Sequence, residues 1–231
     1  MTPAAFGTKS EHLDFRTPLT PVHAPSSDPY PERPAPLEEA CAAGPRDVAA
    51  LMLFALSRRI EADPRPVLVT ATRAWFSEHG RPYGPGLAGA SLVLAPVTTA
   101  AEALWTLEQA LRSGAVALAL GAVDGATLAQ TRRLDFAAKQ GEAIGLVLPR
   151  RLDGLSAARR RWRISTSESA TDPDDPRAPG QARLIAELVR GRGERPGAGR
   201  LEQDDATHRL RLADRLAGGG LAAIGPTHVA A

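Results

Sequence analysis

The stretch "EEACAAGPRDVAALMLF", residues 38–54, runs from a small acidic turn into an apolar helix, and the strand-like "RPVLVTA" of residues 65–71 follows it. Turns of this layout hold nucleotide phosphates when backbone N–H groups and a helix N-terminus surround the anion and a lysine neutralises it, as in Gly-x-x-x-x-Gly-Lys-Ser/Thr. In that register Ala42 stands for the first Gly, Asp47 for the second, Val48 for the Lys and Ala49 for the Ser or Thr. Every group that would touch phosphate is replaced. Asp47 also puts an anion where phosphate would lie, and like charges about 4 Å apart repel by about 4 kcal/mol at an effective dielectric near 20. The plainer role for Asp47 is to stabilise a helix start through the macrodipole.

The other candidates for chemistry are sparse. A strand that holds Mg²⁺ beside a nucleotide ends in an acid. In "LALGAVDG" Gly121 occupies that place and Asp124 follows three residues later. Asp124 either reaches a metal by a curled loop or caps the helix that begins near Thr127. His12, His23, His79, His208 and His228 form no zinc spacing. Ser165, Ser167 and Ser169 lie outside a nucleophile-elbow context. Cys41, the single cysteine, excludes an internal disulfide and a cysteine-cluster metal site. No catalytic residue, metal ligand or cofactor is assigned.

The run "RRLDGLSAARRRWR" gathers Arg159, Arg160, Arg161, Trp162 and Arg163. Arginines around an aromatic can bind a nucleic-acid backbone and stack on bases. They can equally form a solvated strand edge with Trp162 turned to the core, so DNA contact and a partner contact both stay open.

The elements that must position these residues follow from patterning. Residues 1–36 are Pro-rich and read as a mostly disordered arm. From Arg46 to Ile60 the apolar residues recur at helical spacing. Strands are expected at 65–71, 91–97, 114–123 and 142–150, with "YGPGLAG" a turn or short helix and helices over Thr99–Arg112 and Thr127–Gln140. Strands alternating with helices imply a mostly parallel α/β sheet with right-handed crossovers. Beyond residue 150, "RRWRIST" alternates as a strand, "ARLIAELVRGR" is read as another, and residues 199–213 form a hairpin turning at Asp204 and Asp205. The expected organisation is an arm (1–36), an α/β core (37–150), a β-rich extension of the same domain (151–216) and a flexible tail (217–231). Aromatics are 4% against 43% hydrophobic residues, so aliphatic packing carries the core. Net charge is +2, with lysine only at positions 9 and 139. The N-terminus lacks an apolar signal region and no run approaches a membrane span, so a cytoplasmic protein is expected.

Three stretches carry a family resemblance: "YGPGLAG…LVLAP…AEALWTLEQALRSGAVALALG", "RRLDFAAKQGEAIGLVL" with "RWRI", and "ERPGAGRLEQDDATHRLRLADRL". Over roughly residues 37–216 the chain resembles the RecA/SulA superfamily, and within it the inducible-mutagenesis protein A (ImuA) family. The resemblance implies a RecA-like P-loop-type core with degenerate Walker motifs. It also implies an accessory role in error-prone translesion synthesis during the bacterial DNA-damage (SOS) response. The implied partners are an inactive Y-family polymerase relative, an error-prone DnaE-type polymerase and RecA. RecA places a water-activating Glu after its second strand; the matching position here is Thr72. The departures argue against ATP hydrolysis and favour a non-catalytic scaffold. An ATPase with an unusual site and a SulA-like cell-division inhibitor are the alternatives.

Overall fold

A computed structural model describes residues 30, 33–60, 62–82, 91–204 and 209–213. The chain enters through β1 (Leu37–Ala42), turns through a 3-10 segment (Pro45–Asp47) and continues into α1 (Val48–Ser57). There follow β2 (Val67–Thr72), α2 (Arg73–His79), β3 (Leu92–Val97), α3 (Ala100–Ser113), β4 (Leu118–Gly121), α4 (Leu128–Gln140) and β5 (Ile144–Val147). β6 (Arg160–Thr166), β7 (Arg183–Gly191), β8 (Gly197–Asp204) and β9 (Arg209–Leu212) complete it.

All these strands join one nine-stranded sheet in the order β3-β2-β4-β5-β1-β6-β7-β8-β9. The pairings from β3 through β6 are parallel, and β7, β8 and β9 add antiparallel pairs. The sheet therefore passes residue 150 without a break, and β6 is parallel to β1.

The helices divide between the two faces by the direction of their crossovers. The connections from β1 to β2 and from β2 to β3 run toward the β3 edge. They carry α1 and α2, whose Phe54 and Phe76 join the core cluster of Trp162, Ile164 and Leu188. The connections from β3 to β4 and β4 to β5 run the other way. They carry α3 and α4, whose Leu107, Leu111, Leu134 and Ala137 pack with Leu37 and Val147. A right-handed crossover reverses face when it reverses direction, so this division is what the handedness rule demands. α4 begins with a capping box between Thr127 and Gln130. Arg65 ties the ends of α3 and α4 together: it donates to the carbonyls of Gly114 at 2.9 Å, Gly141 at 3.2 Å and Glu142 at 2.7 Å. A cation there also suits the negative helix C-termini.

The structure corrects several sequence readings. The acidic turn at residues 38–42 is the central strand β1, with Glu38 and Glu39 buried. α2 has no counterpart among the expected elements. Tyr30 and Ala35, placed in the arm, are buried against the core. "YGPGLAG", residue 205 of the hairpin turn and residues 217–231 lie outside the described residues. No helix among the described residues is long and apolar enough to cross a membrane.

Candidate functional site

The turn at the carboxyl end of β1 is short and closed by its own bonds. Ala43 donates its N–H to the Ile164 carbonyl at 2.7 Å, and Asp47 donates to the Gly44 carbonyl at 3.0 Å. Pro45 has no N–H to offer. The Asp47 carboxylate sits at the start of α1 and accepts from the Thr166 N–H of β6 at 2.8 Å. It makes no side-chain cap of its own helix, so the sheet, not the helix, holds it in place. Val48 and Ala49 begin α1 and bring no charge or hydroxyl. This donor set does not fit a triphosphate: one N–H is missing, two are spent, no lysine is present and a carboxylate occupies the helix N-terminus.

The remaining nucleotide-site positions have other duties. Gly121 closes β4, and a Cβ there would come within 2.7 Å of Leu107 Cδ2, so its absence lets α3 approach the sheet. Asp124 does not cap α4, because Thr127 does. Its carboxylate accepts from the Arg150 N–H at 2.6 Å and pairs with the Arg150 side chain at 3.3 Å. Thr72 caps α2 by accepting from the Trp75 N–H at 3.2 Å. No cluster of three or more His, Cys, Asp or Glu suited to a metal occurs among the described residues. Burial raises the Cys41 thiol pKa against the pull of Arg163 and Arg161, which makes it a poor nucleophile.

The arginine run is not a surface strip. Alternation along β6 sends Arg160, Trp162 and Ile164 to the α1 face and Arg161 and Arg163 to the other. Trp162 is fully buried, and Arg160 and Arg161 are buried as well. Arg161 Nε donates to Glu39 Oε2 at 2.8 Å and its Nη1 to the Gly154 carbonyl at 2.9 Å. Arg159 and Arg163 remain exposed, and Arg163 pairs with Glu187 at 2.9 Å.

The α1 face holds a buried charge cluster that no sequence spacing announced. Glu38 Oε1 accepts from Arg58 Nη2 at 3.0 Å, Arg160 Nη1 at 2.8 Å and the Ala35 N–H at 2.8 Å. Its Oε2 accepts from Trp162 Nε1 at 3.0 Å. The Arg58 guanidinium lies among the rings of Tyr30, Phe54 and Trp162, at 5.2, 5.8 and 5.9 Å. Glu194 takes the outer side of Arg160 with two bonds, at 2.7 and 2.8 Å. Burial alone would raise the Glu38 carboxyl pKa, but Arg58, the Ala35 N–H and Arg160 together outweigh it and hold it below the usual carboxylate range. Both carboxylate oxygens of Glu38 accept hydrogen bonds and each arginine faces a carboxylate, so the cluster locks the entering chain, α1, β1 and β6 to one another.

A groove of about 500 Å³ opens between α1 and α2, lined by Met52, Leu53, Leu56, Trp75, Pro82 and their neighbours. α2 and this groove escaped the sequence reading. The legible signal was the uniformly apolar "VAALMLFAL", with more apolar positions than one face of a helix needs.

Fold and site together define an α/β protein with a mostly parallel nine-stranded sheet and a β1–α1 turn stripped of phosphate-binding groups. No family model matches the chain. It is 34% identical over 168 residues to Protein ImuA of Caulobacter vibrioides, from strain NA1000 / CB15N and equally from strain ATCC 19089 / CIP 103742 / CB 15, which covers 64% of this chain and 68% of each relative. The chain belongs to the ImuA family. Among solved structures, SulA from Pseudomonas aeruginosa is similar at a TM-score of 0.40 and 24% identity, covering 50% of this chain and 98% of SulA; a likeness of that size adds nothing to the assignment.

Proposed function

We propose that this chain is a non-catalytic accessory protein of damage-induced mutagenesis, acting in the bacterial cytoplasm. A RecA-like sheet serves as a scaffold for protein partners. The partners in this proposal are an inactive Y-family polymerase relative and an error-prone DnaE-type polymerase, with RecA a third. Kinship with ImuA supports the pathway. The observation that carries the mechanism is the closed β1–α1 turn, where Pro45 lacks a donor and Asp47 is bonded to Thr166. DNA contact through Arg160, Arg161 and Trp162 is left out of the proposal, since all three are buried.

The test is thermal unfolding with ATP and Mg²⁺. A ligand at a hundredfold over its Kd stabilises a fold by about 2.7 kcal/mol, or several degrees. The expected response at millimolar ATP is flat, and a rise of several degrees overturns the non-catalytic assignment. Titration against the purified polymerase relative should show stoichiometric binding at micromolar concentration; no binding overturns the scaffold assignment.

A further inference from the structure

We propose that the α1/α2 groove is a docking site for an amphipathic helix of a protein partner, with apolar residues along one stripe and acidic residues flanking it. This deepens the scaffold proposal and rests on it.

α1 has two apolar faces. Ala50, Leu51, Phe54 and Ala55 are buried against the sheet. Ala49, Met52, Leu53 and Leu56 lie on the opposite side of the same helix and line the groove; Met52, Leu53 and Leu56 are half-buried, touching the core cluster on one side and the groove on the other. A helix at a protein surface ordinarily turns polar residues outward, and one that is apolar all round is ordinarily covered on all sides. Here Trp75 of α2 faces the second apolar stripe across the groove, and its ring is braced by Phe76 at 5.4 Å and His79 at 4.9 Å. Rows of aliphatic side chains beside a braced tryptophan suit the i, i+3, i+4 anchors of an inserted helix.

The rim selects the occupant's charge. Arg46 and Arg81 line the groove, and neither has an ion-pair partner among the described residues. The acid there, Glu78, is engaged by His79 at 3.7 Å and Arg150 at 4.0 Å. The net rim charge is positive, which favours an acidic partner. A second copy is disfavoured by the same feature. A two-fold pair would set the same patch against itself, and Arg46 and Arg81 would face their own like charges.

The probes are two synthetic helical peptides with the same leucine stripe, one flanked by Glu and one by Arg, titrated into the full chain by fluorescence anisotropy. The Glu-flanked peptide should bind at least tenfold tighter. Leu53→Glu, and separately Arg46→Glu with Arg81→Glu, should each weaken it at least tenfold, and the double arginine variant should do so without lowering the Tm. Equal affinity for the two peptides, or preference for the Arg-flanked one, overturns the proposal. A photocrosslinker at Met52 in DNA-damaged cells should capture an acid-flanked helix of another protein, and the double arginine variant should abolish the adduct. An adduct to residues 1–29, to a second copy, or no adduct overturns it. Damage-induced mutation frequency separates the two proposals. If gene deletion lowers it and the groove variants do not, the groove is wrong. If deletion leaves it unchanged while peptide binding and the Met52 adduct behave as stated, only the mutagenesis role is wrong.

Discussion

Replacing Glu38 with Gln should be one of the most damaging single-atom changes available to this protein. The carboxylate receives four donors and offers none: Arg58, Arg160, the Ala35 N–H and the Trp162 indole. A Gln amide must turn its NH₂ toward one of these donors, and it removes the charge that neutralises Arg58. Arg160 keeps Glu194, whereas Arg58 is buried among three rings. Breaking a buried pair by removing one partner costs about 3–5 kcal/mol. Against a total stability of about 5–15 kcal/mol that is a large share. At roughly 2–4 °C per kcal/mol for a chain of this size, the Tm should fall by about 6–20 °C. The pH dependence supplies a second readout. The folded-state carboxyl pKa of Glu38 lies below its unfolded value, so its contribution is fully present above the ordinary Glu pKa of about 4.3 and is lost as pH falls through the depressed value. The gap between wild type and Glu38→Gln should be widest above about pH 5 and close in stronger acid. A Glu38→Gln variant within about 1 kcal/mol of wild type by urea denaturation, with no pH-dependent gap, would refute the buried charge cluster.

Gly141→Ala should cost about 3 kcal/mol or more by the same denaturation assay, since its Cβ would stand 1.9 Å from the Leu111 carbonyl oxygen. Arg65→Met, which frees the ends of α3 and α4 from their clip, should cost about 1–2 kcal/mol and raise amide hydrogen exchange at both helix C-termini. Thr127→Ala removes the capping box and should lower stability by about 1 kcal/mol; no change in Tm would argue against that cap. Trp105 and Phe136 are 63% and 65% exposed, so serine at either position should shift stability by no more than about 0.5 kcal/mol.

The helices α3 and α4 were legible because each buries one face at helical period, and β2, β4 and β5 because strands covered on both sides of the sheet read as continuous apolar runs. β7 was legible by partial alternation: Leu184, Ala186 and Leu188 are buried, with Arg183 and Glu187 among the less buried positions between them. β1 was not. Adjacent Glu38 and Glu39 look like a solvated turn, and only partners distant in the chain let them enter the sheet. Arg58 lies 20 positions from Glu38, Arg160 lies 122 positions from it, and Arg161 lies 122 positions from Glu39. In the arginine run Trp162 does turn to the core and Arg159 and Arg163 are exposed, but charge density hid the burial of Arg160 and Arg161, the cations that those glutamates require.

What the sequence determined by itself was composition of matter: an alternating α/β core, a turn without lysine or hydroxyl where phosphate would bind, and kinship with ImuA. These depend on residue type and local period, which the chain carries along its length. The tertiary structure decided which charges are buried, where Asp47 and Asp124 spend their carboxylates, and that α1 turns a second apolar face outward to a groove. Those outcomes depend on which segments the crossovers bring together, and a side chain's solvent and partners exist only once that has happened.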